Sequence, residues 1–169
     1  MAATFQFAQS HGATPTVVDI GDGSGGNYFN FKDIDDATAA NYSTYPITAG
    51  NHSYEVWLRG HFTGTFNTVD NLQFWQSTAF SPATGLEVEY KANNVGAHVP
   101  AVKTESTVAT VAMPTSDPGT ANVSIGGSLS GTLSSAGYSD YIVLQLHTTA
   151  SAAAGDTSAA VFTLQYDES

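Results

Sequence analysis

The sequence predicts an all-β protein, an antiparallel β-sandwich of the jelly-roll or Ig-like type with about 8–10 strands. The strongest signal is an alternation near the end of the chain, where Ile142, Leu144 and Leu146 share one face and the residues between them share the other. Short segments rich in β-branched and aromatic residues also recur along the whole chain, at a spacing of roughly 8–12 residues. Such segments cannot bury their apolar faces alone, so they must pack into a larger β body.

Ten segments carry this patterning and are predicted to be strands. In chain order they are Thr4–Phe7, Thr16–Ile20, Tyr28–Phe31, Ser53–Phe62, Asn71–Gln76, Leu86–Lys91, Thr107–Ala112, Ala121–Ile125, Tyr141–Thr148 and Val161–Tyr166. Stretches rich in glycine and proline separate them and predict turns. The one competing helical signal is Asp33–Asn41, where we expect no more than a capped turn or two.

The fourth of these segments contains an informative exception to simple amphipathic alternation. Val56 and Leu58 alternate with Glu55, Trp57 and Arg59, so Trp57 falls on the nominally polar face. A large aromatic side chain in that position indicates that a loop or a neighbouring subunit covers it.

The consistent apolar phase of the strands predicts the hydrophobic core. In Leu86–Lys91, for example, Val88 faces inward while Glu87 and Glu89 face water. The predicted core residues are Tyr54, Val56, Leu58, Leu72, Phe74, Leu86, Val88, Ile142, Leu144, Leu146, Phe162 and Leu164.

The length of 169 residues suits one domain. We expect a single β-sandwich over residues 16–169, preceded by an N-terminal arm or edge strand over residues 1–15. Phe5 and Phe7 alternate within that stretch, and no Asp, Glu, Lys or Arg occurs through Val18. A strand without charged protection pairs readily with a neighbouring sheet edge, so the arm is a candidate for assembly. A frayed terminus or a local edge strand is the alternative.

Charge and cysteine content exclude several classes of function. Four Lys and Arg residues against fifteen Asp and Glu residues give a formal net charge of −11, which repels nucleic-acid phosphates and anionic membrane surfaces. The chain has no cysteine, so disulfides and thiolate metal sites are absent. The first residues lack the pattern of a signal peptide, and we expect the chain to fold in the cytoplasm of the cell that makes it.

The acidic, glycine-rich region between residues 19 and 36 is the best metal candidate, because calcium prefers oxygen ligands on a flexible loop. It does not have EF-hand spacing and lacks the bidentate glutamate that closes such a loop. Ordinary Asp and Gly turns explain it better, so we expect no metal and no cofactor. The weak calcium candidates are Asp19, Asp22, Asp33, Asp35 and Asp36.

No motif indicates catalysis, and we predict no catalytic residue and no enzyme. The chain contains neither a G-x-S-x-G elbow, nor H-E-x-x-H, nor a phosphate-binding glycine loop. Its five histidines are scattered, and only Glu55, Arg59 and His61 fall together on one strand face. Glu87 and Glu89 also share a face, whereas glycosidase carboxylates normally come from different strands across a cleft.

Four segments carry a resemblance to a known group of proteins. They are Tyr138–Leu146, Phe162–Glu168, Ile47–Glu55 and Leu72–Trp75. Together they resemble small uncharacterised virion structural proteins of tailed bacteriophages, over roughly residues 44–168.

The resemblance implies a β-sandwich that decorates or cements a capsid, or that builds part of a tail. We therefore expect a non-enzymatic virion protein that is made in the host cytoplasm and binds the major capsid protein or other virion subunits. A small symmetric homo-oligomer is expected, with a trimer favoured. The alternative is a tail or receptor-binding module that recognises glycans, for which Trp57 and Trp75 offer aromatic surfaces.

Overall fold

The computed structural model describes residues 2–21, 28–38, 43–153 and 158–169. These residues form strands, turns and irregular segments and contain no helix, so none of their segments is a helix able to cross a membrane. The strands are β1 (Ala3–His11), β2 (Thr16–Gly21), β3 (Val56–Gly64), β4 (Val69–Thr78), β5 (Leu86–Lys91), β6 (Val111–Ala112), β7 (Gly137–Tyr138), β8 (Ile142–Thr148) and β9 (Val161–Glu168). The prediction of an all-β protein is confirmed.

The strands form two antiparallel sheets of unequal size that pack together as a β-sandwich. The larger sheet has the order β2-β1-β3-β8-β5-β6, with β7 also paired to β3, and the smaller sheet contains β4 and β9. Aromatic side chains meet between the sheets: the ring centroids of Phe7 and Phe74 are 6.1 Å apart, and those of Phe62 and Tyr166 are 5.0 Å apart. Burial of these rings holds the two sheets together.

The prediction for the N-terminus was wrong in one respect. Residues 1–15 were expected to form an arm or an edge strand, but β1 pairs with β2 on one side and with β3 on the other. Ala8 is completely buried and Phe7 nearly so. The absence of charged residues, which suggested an exposed pairing strand, also suits an interior strand. The edge of the large sheet on this side is formed by β2.

Four predicted elements also differ from the observed ones. Residues 28–31 do not form a strand. The rings of Phe29 and Phe31 pack against the ring of Phe162, with centroid distances of 5.3 and 6.1 Å. Residues 121–125 form an irregular segment, and the strand expected over residues 107–112 is reduced to β6. Residues 33–38 of the expected helical turn are not helical, and the rest of that turn lies outside the described residues.

The core prediction is largely confirmed. Tyr54 is only partly buried and lies outside the main cluster, and Leu86, Phe162 and Leu164 pack against that cluster without being fully enclosed. The other eight predicted residues are buried members of it: Val56, Leu58, Leu72, Phe74, Val88, Ile142, Leu144 and Leu146.

A second, smaller core lies on the opposite face of the large sheet. Trp57 is 1% exposed there and packs with Val95, Ala109, Tyr141 and Val143. Two of these residues belong to the β5–β6 loop, residues 92–110, which crosses this face. The cover that Trp57 predicted is therefore supplied by the same chain.

We expect Leu144→Ala to lower the free energy of unfolding by about 2–5 kcal/mol, because the side chain is fully buried and its removal leaves a cavity. Urea unfolding followed by circular dichroism measures the change. Val99→Ala is the matched control, since Val99 is 46% exposed, and its effect should stay within about 0.5 kcal/mol. Equal effects of the two substitutions would contradict the assigned core.

Candidate functional site

The β5–β6 loop is fixed to the large sheet by a buried carboxylate. Glu55 is 3% exposed and precedes β3 directly. Its Oε2 accepts hydrogen bonds from Trp57 Nε1 at 3.0 Å and from the Val102 amide at 3.3 Å. Its Oε1 accepts a hydrogen bond from the Ser106 hydroxyl. Three donors therefore satisfy a carboxylate that would otherwise be costly to bury.

Gln145 of β8 continues this network. Its side chain is fully buried; Oε1 accepts from the Ser106 amide at 2.8 Å, and Nε2 donates to the carbonyls of Ser53 at 2.9 Å and Thr104 at 2.8 Å. The Ser106 hydroxyl in turn accepts from the Ala109 amide at 2.8 Å. The polar side chains on this face therefore bond to other groups of the same chain and are not available to a ligand.

His98 of the same loop packs against the second core. Its ring centroid lies 5.0 Å from that of Trp57 and 5.9 Å from that of Tyr141. Burial lowers the pKa of His98 below its usual value, and the negative charges of Asp35 and Glu55 oppose this only in part. Burial therefore favours the neutral form of the imidazole over the protonated form.

A stack of cationic and aromatic side chains lies further along the same face. The Arg59 guanidinium carbon lies 4.9 Å from the ring centroid of Tyr138 and 4.7 Å from that of Tyr141. The His61 ring stacks on Tyr138 at 4.2 Å, and His61 Nδ1 lies 3.0 Å from Asp19 Oδ1. Arg59 and His61 thus both contact the ring of Tyr138. Glu55, which shares their strand face in the sequence, bonds to Trp57 and to the β5–β6 loop instead, so the three side chains form no common site.

The structure brings together two histidines that sequence reasoning left apart. The ring centroids of His52 and His147 are 4.3 Å apart, and His147 Nε2 lies 3.3 Å from Glu89 Oε2. No local pattern signals this contact, because a bridge between distant segments creates it. Glu87 is exposed and, unlike Glu89, makes no such contact among the described residues. No opposed pair of carboxylates of the glycosidase type results.

The concave surface beside this histidine pair is shallow and polar. It encloses about 450 Å³ and is lined by Asn51, His52, Lys103, Thr104 and Glu105. The ammonium of Lys103 is itself paired with Asp33 at 2.6 Å. The described residues that line the concavity include none of the aliphatic side chains that usually enclose a small-molecule ligand.

The calcium candidates have separate partners instead of a shared centre. Asp22 lies outside the described residues. The others pair as follows: Asp19 with His61, Asp33 with Lys103, Asp35 with the Gly12 amide at 2.8 Å, and Asp36 with Lys32. Within the described ranges, no three histidine or acidic side chains are grouped so as to hold a metal ion.

Comparison of the chain with protein-family models, curated proteins and solved structures found no match. The function must therefore be argued from the residues and their arrangement.

We expect Glu55→Ala to destabilise the protein by at least about 1–3 kcal/mol, because it leaves the buried donors of Trp57 and Ser106 and the partly buried amide of Val102 without an acceptor. Hydrogen exchange should accelerate selectively in the β5–β6 loop. Glu105→Ala is the control, since Glu105 is exposed in the same loop and should change stability by less than about 0.5 kcal/mol. Unchanged exchange in Glu55→Ala would contradict the anchoring role of the carboxylate.

The lowered pKa of His98 predicts a pH-dependent stability. The unfolded chain binds a proton at His98 more readily than the folded chain, so the stabilising contribution is fully present above pH 6.5 and is lost as the pH falls toward the folded value. Urea unfolding at pH 7.5 and 5.5 should show a smaller decrease for His98→Gln than for the wild-type protein. Carboxylates titrate in both proteins, so the difference isolates His98. Equal decreases would contradict this assignment.

Proposed function

We propose that this chain is a non-enzymatic structural subunit of a tailed-bacteriophage virion, most simply an outer capsid decoration protein that assembles as a small symmetric oligomer and binds the major capsid protein. The resemblance of β8, β9 and the segments around residues 47–55 and 72–75 to phage structural proteins supports this proposal. A position in the tail is the variant of the same proposal. The observation that carries the proposal is a difference between two sheet edges: the outer edge of β4 is covered by a loop, and the outer edge of β2 has no such cover within the described part of the chain.

The outer edge of β4 is covered by the β6–β7 loop, residues 113–136. The Asn122 side chain imitates a neighbouring strand: its Oδ1 accepts from the Phe74 amide at 2.7 Å, and its Nδ2 donates to the Phe74 carbonyl at 2.8 Å. Val69 and Leu133 exchange two backbone hydrogen bonds of 2.9 Å in the same region. Backbone groups on this edge are therefore protected from pairing with another molecule.

The outer edge of β2 has no comparable cover among the described residues. This strand pairs only with β1, and Val17 and Val18 are 48% and 37% exposed. The one charged residue of the strand is Asp19, which follows Val18 and whose Oδ1 lies 3.0 Å from His61 Nδ1. An uncovered edge with exposed β-branched side chains is a surface on which a second chain can add a strand, and this favours an assembling subunit.

The net charge supports an external position on the particle. A charge of −11 opposes contact with packaged DNA, and it is compatible with the outer capsid surface. A tail lumen, through which DNA must pass without adhering, is the other position that this charge suits.

Purified virions of a phage that encodes this chain provide the test. We expect the chain in intact particles, accessible to antibody without disruption of the head, and visible as added density on the capsid in an electron cryomicroscopy map. Density on the tail would select the tail position. Absence of the chain from purified particles would overturn the proposal.

Glycan binding is the second candidate function, and the outer face of the small sheet favours it. Trp75 is half-buried there, opposite Thr163 in the register, and Gln165 is exposed two residues further along β9. An indole ring beside uncharged polar groups suits a sugar ring and its hydroxyls. Trp57 does not contribute, because it is buried. Binding on a glycan array that disappears in Trp75→Ala, and persists in a control Tyr45→Ala, would support this candidate; no binding would remove it.

A further inference from the structure

We infer that β2 pairs in antiparallel fashion with β2 of a second copy of this chain, across a two-fold axis at Val18. The inference rests on the proposed assembly function and specifies its contact. Antiparallel pairing extends the seven-stranded sheet across two subunits and satisfies the backbone groups that the outer edge of β2 leaves open.

The large sheet offers β2 as its longer free edge. The opposite edge is β6, which contains only two residues, whereas β2 contains six. An irregularity in the β1–β2 register falls at Ile20, so the regular part of the edge is Thr16–Asp19. A partner strand must therefore pair within this short stretch.

The faces of the β2 side chains follow from the register across β1. Val18 lies opposite Gln9, which lies opposite Leu58 of the main core, so Val18 is on the inner face of the sheet. Val17 lies opposite Ser10, which lies opposite Trp57 of the outer core, so Val17 is on the outer face. Residues directly opposite one another in antiparallel strands share a face, so a two-fold pairing must be centred on one residue.

The pairing can be centred on Val17, Val18 or Asp19, and the side chains and backbone donors of the strand favour Val18. Centring on Asp19 places two carboxylates directly opposite each other, which destabilises the pair. Centring on Val17 confines the pairing to Thr16–Val18, because the next residue, Pro15, lies outside β2 and has no amide with which to extend the ladder. Centring on Val18 places the two Val18 side chains together and sets each Val17 opposite Asp19 of the partner subunit.

The distribution of charge selects a second copy as the partner. Two chains of net charge −11 repel each other over most of their surfaces, yet the sequence through Val18 carries no Asp, Glu, Lys or Arg. Asp19, the first acidic residue, is already engaged by His61. The uncharged part of the edge, Thr16–Val18, is thus a place where two identical acidic chains can approach without direct charge repulsion.

Single cysteines test this pairing cleanly, because the chain has none of its own. In a pairing centred on Val18, the two Val18 Cα atoms lie about 4.5–5.5 Å apart, within the roughly 4.4–6.8 Å that a disulfide spans. We expect Val18→Cys to form a disulfide-linked dimer under mild oxidation. Val17→Cys is the control on the same strand, since its diagonal separation of about 7–8 Å is too large. Val99→Cys controls for random collision at an equally exposed site.

The mass in solution supplies the second measurement. We expect the wild-type chain to show twice the monomer mass by light scattering at sufficient concentration, and Val18→Lys to show the monomer mass with an unchanged circular dichroism spectrum. Val99→Lys should behave as the wild type.

Four results would overturn the inference: a wild-type monomer at all concentrations, a trimer, cross-linking of Val17→Cys in preference to Val18→Cys, or equal cross-linking of all three variants. Each of these leaves the virion role intact, because that role is tested separately by the presence of the chain in particles. Conversely, a Val18-linked dimer from a chain that is absent from virions would retain the contact and remove the proposed function.

Discussion

The large sheet must bury both of its faces at β3 and β8, and the rest of the architecture depends on this requirement. On the inner face, Leu58 and Leu144 lie in the main core beneath the small sheet. On the outer face, Trp57 and Val143 lie in a second core that the β5–β6 loop covers. Because β3 and β8 carry apolar side chains on both faces, the outer face must also be covered. The irregular β5–β6 loop provides this cover as a third layer.

A loop can serve as such a layer only if its backbone groups are satisfied when they are buried. Glu55, Ser106 and Gln145 perform this task, since their side chains bond to one another and to amides or carbonyls of the β5–β6 loop. The same bonds occupy the polar groups that would otherwise be available to bind a ligand on this face. This polar cluster of the described structure therefore supports the loop from within, and the backbone groups that are open to another molecule lie at the sheet edges.

Alternation along the chain was sufficient to predict the strands whose two faces differ in polarity. Leu86–Lys91 and Val161–Glu168 were predicted nearly to their observed bounds for this reason. It was insufficient for residues 28–31 and 121–125, which have strand-like composition but lie beside an aromatic cluster and a strand edge. Composition reports how well a residue fits a pleated surface, whereas pairing depends on which neighbour lies within hydrogen-bonding distance. The contact between His52 and His147 was inaccessible for the same reason.

By itself the sequence determined the all-β class, most of the main core, the need to cover Trp57, and an acidic surface that lacks cysteine chemistry. These properties depend on the alternation of apolar and polar residues along each strand and on the amino-acid composition, both of which can be read directly from the sequence. Only the tertiary structure decided that β1 is an interior strand, that β2 is an end strand of the large sheet, and that Glu55 and Gln145 secure the covering loop. Edges and buried polar contacts arise when distant segments meet, and period-2 patterning carries no information about which segments those will be.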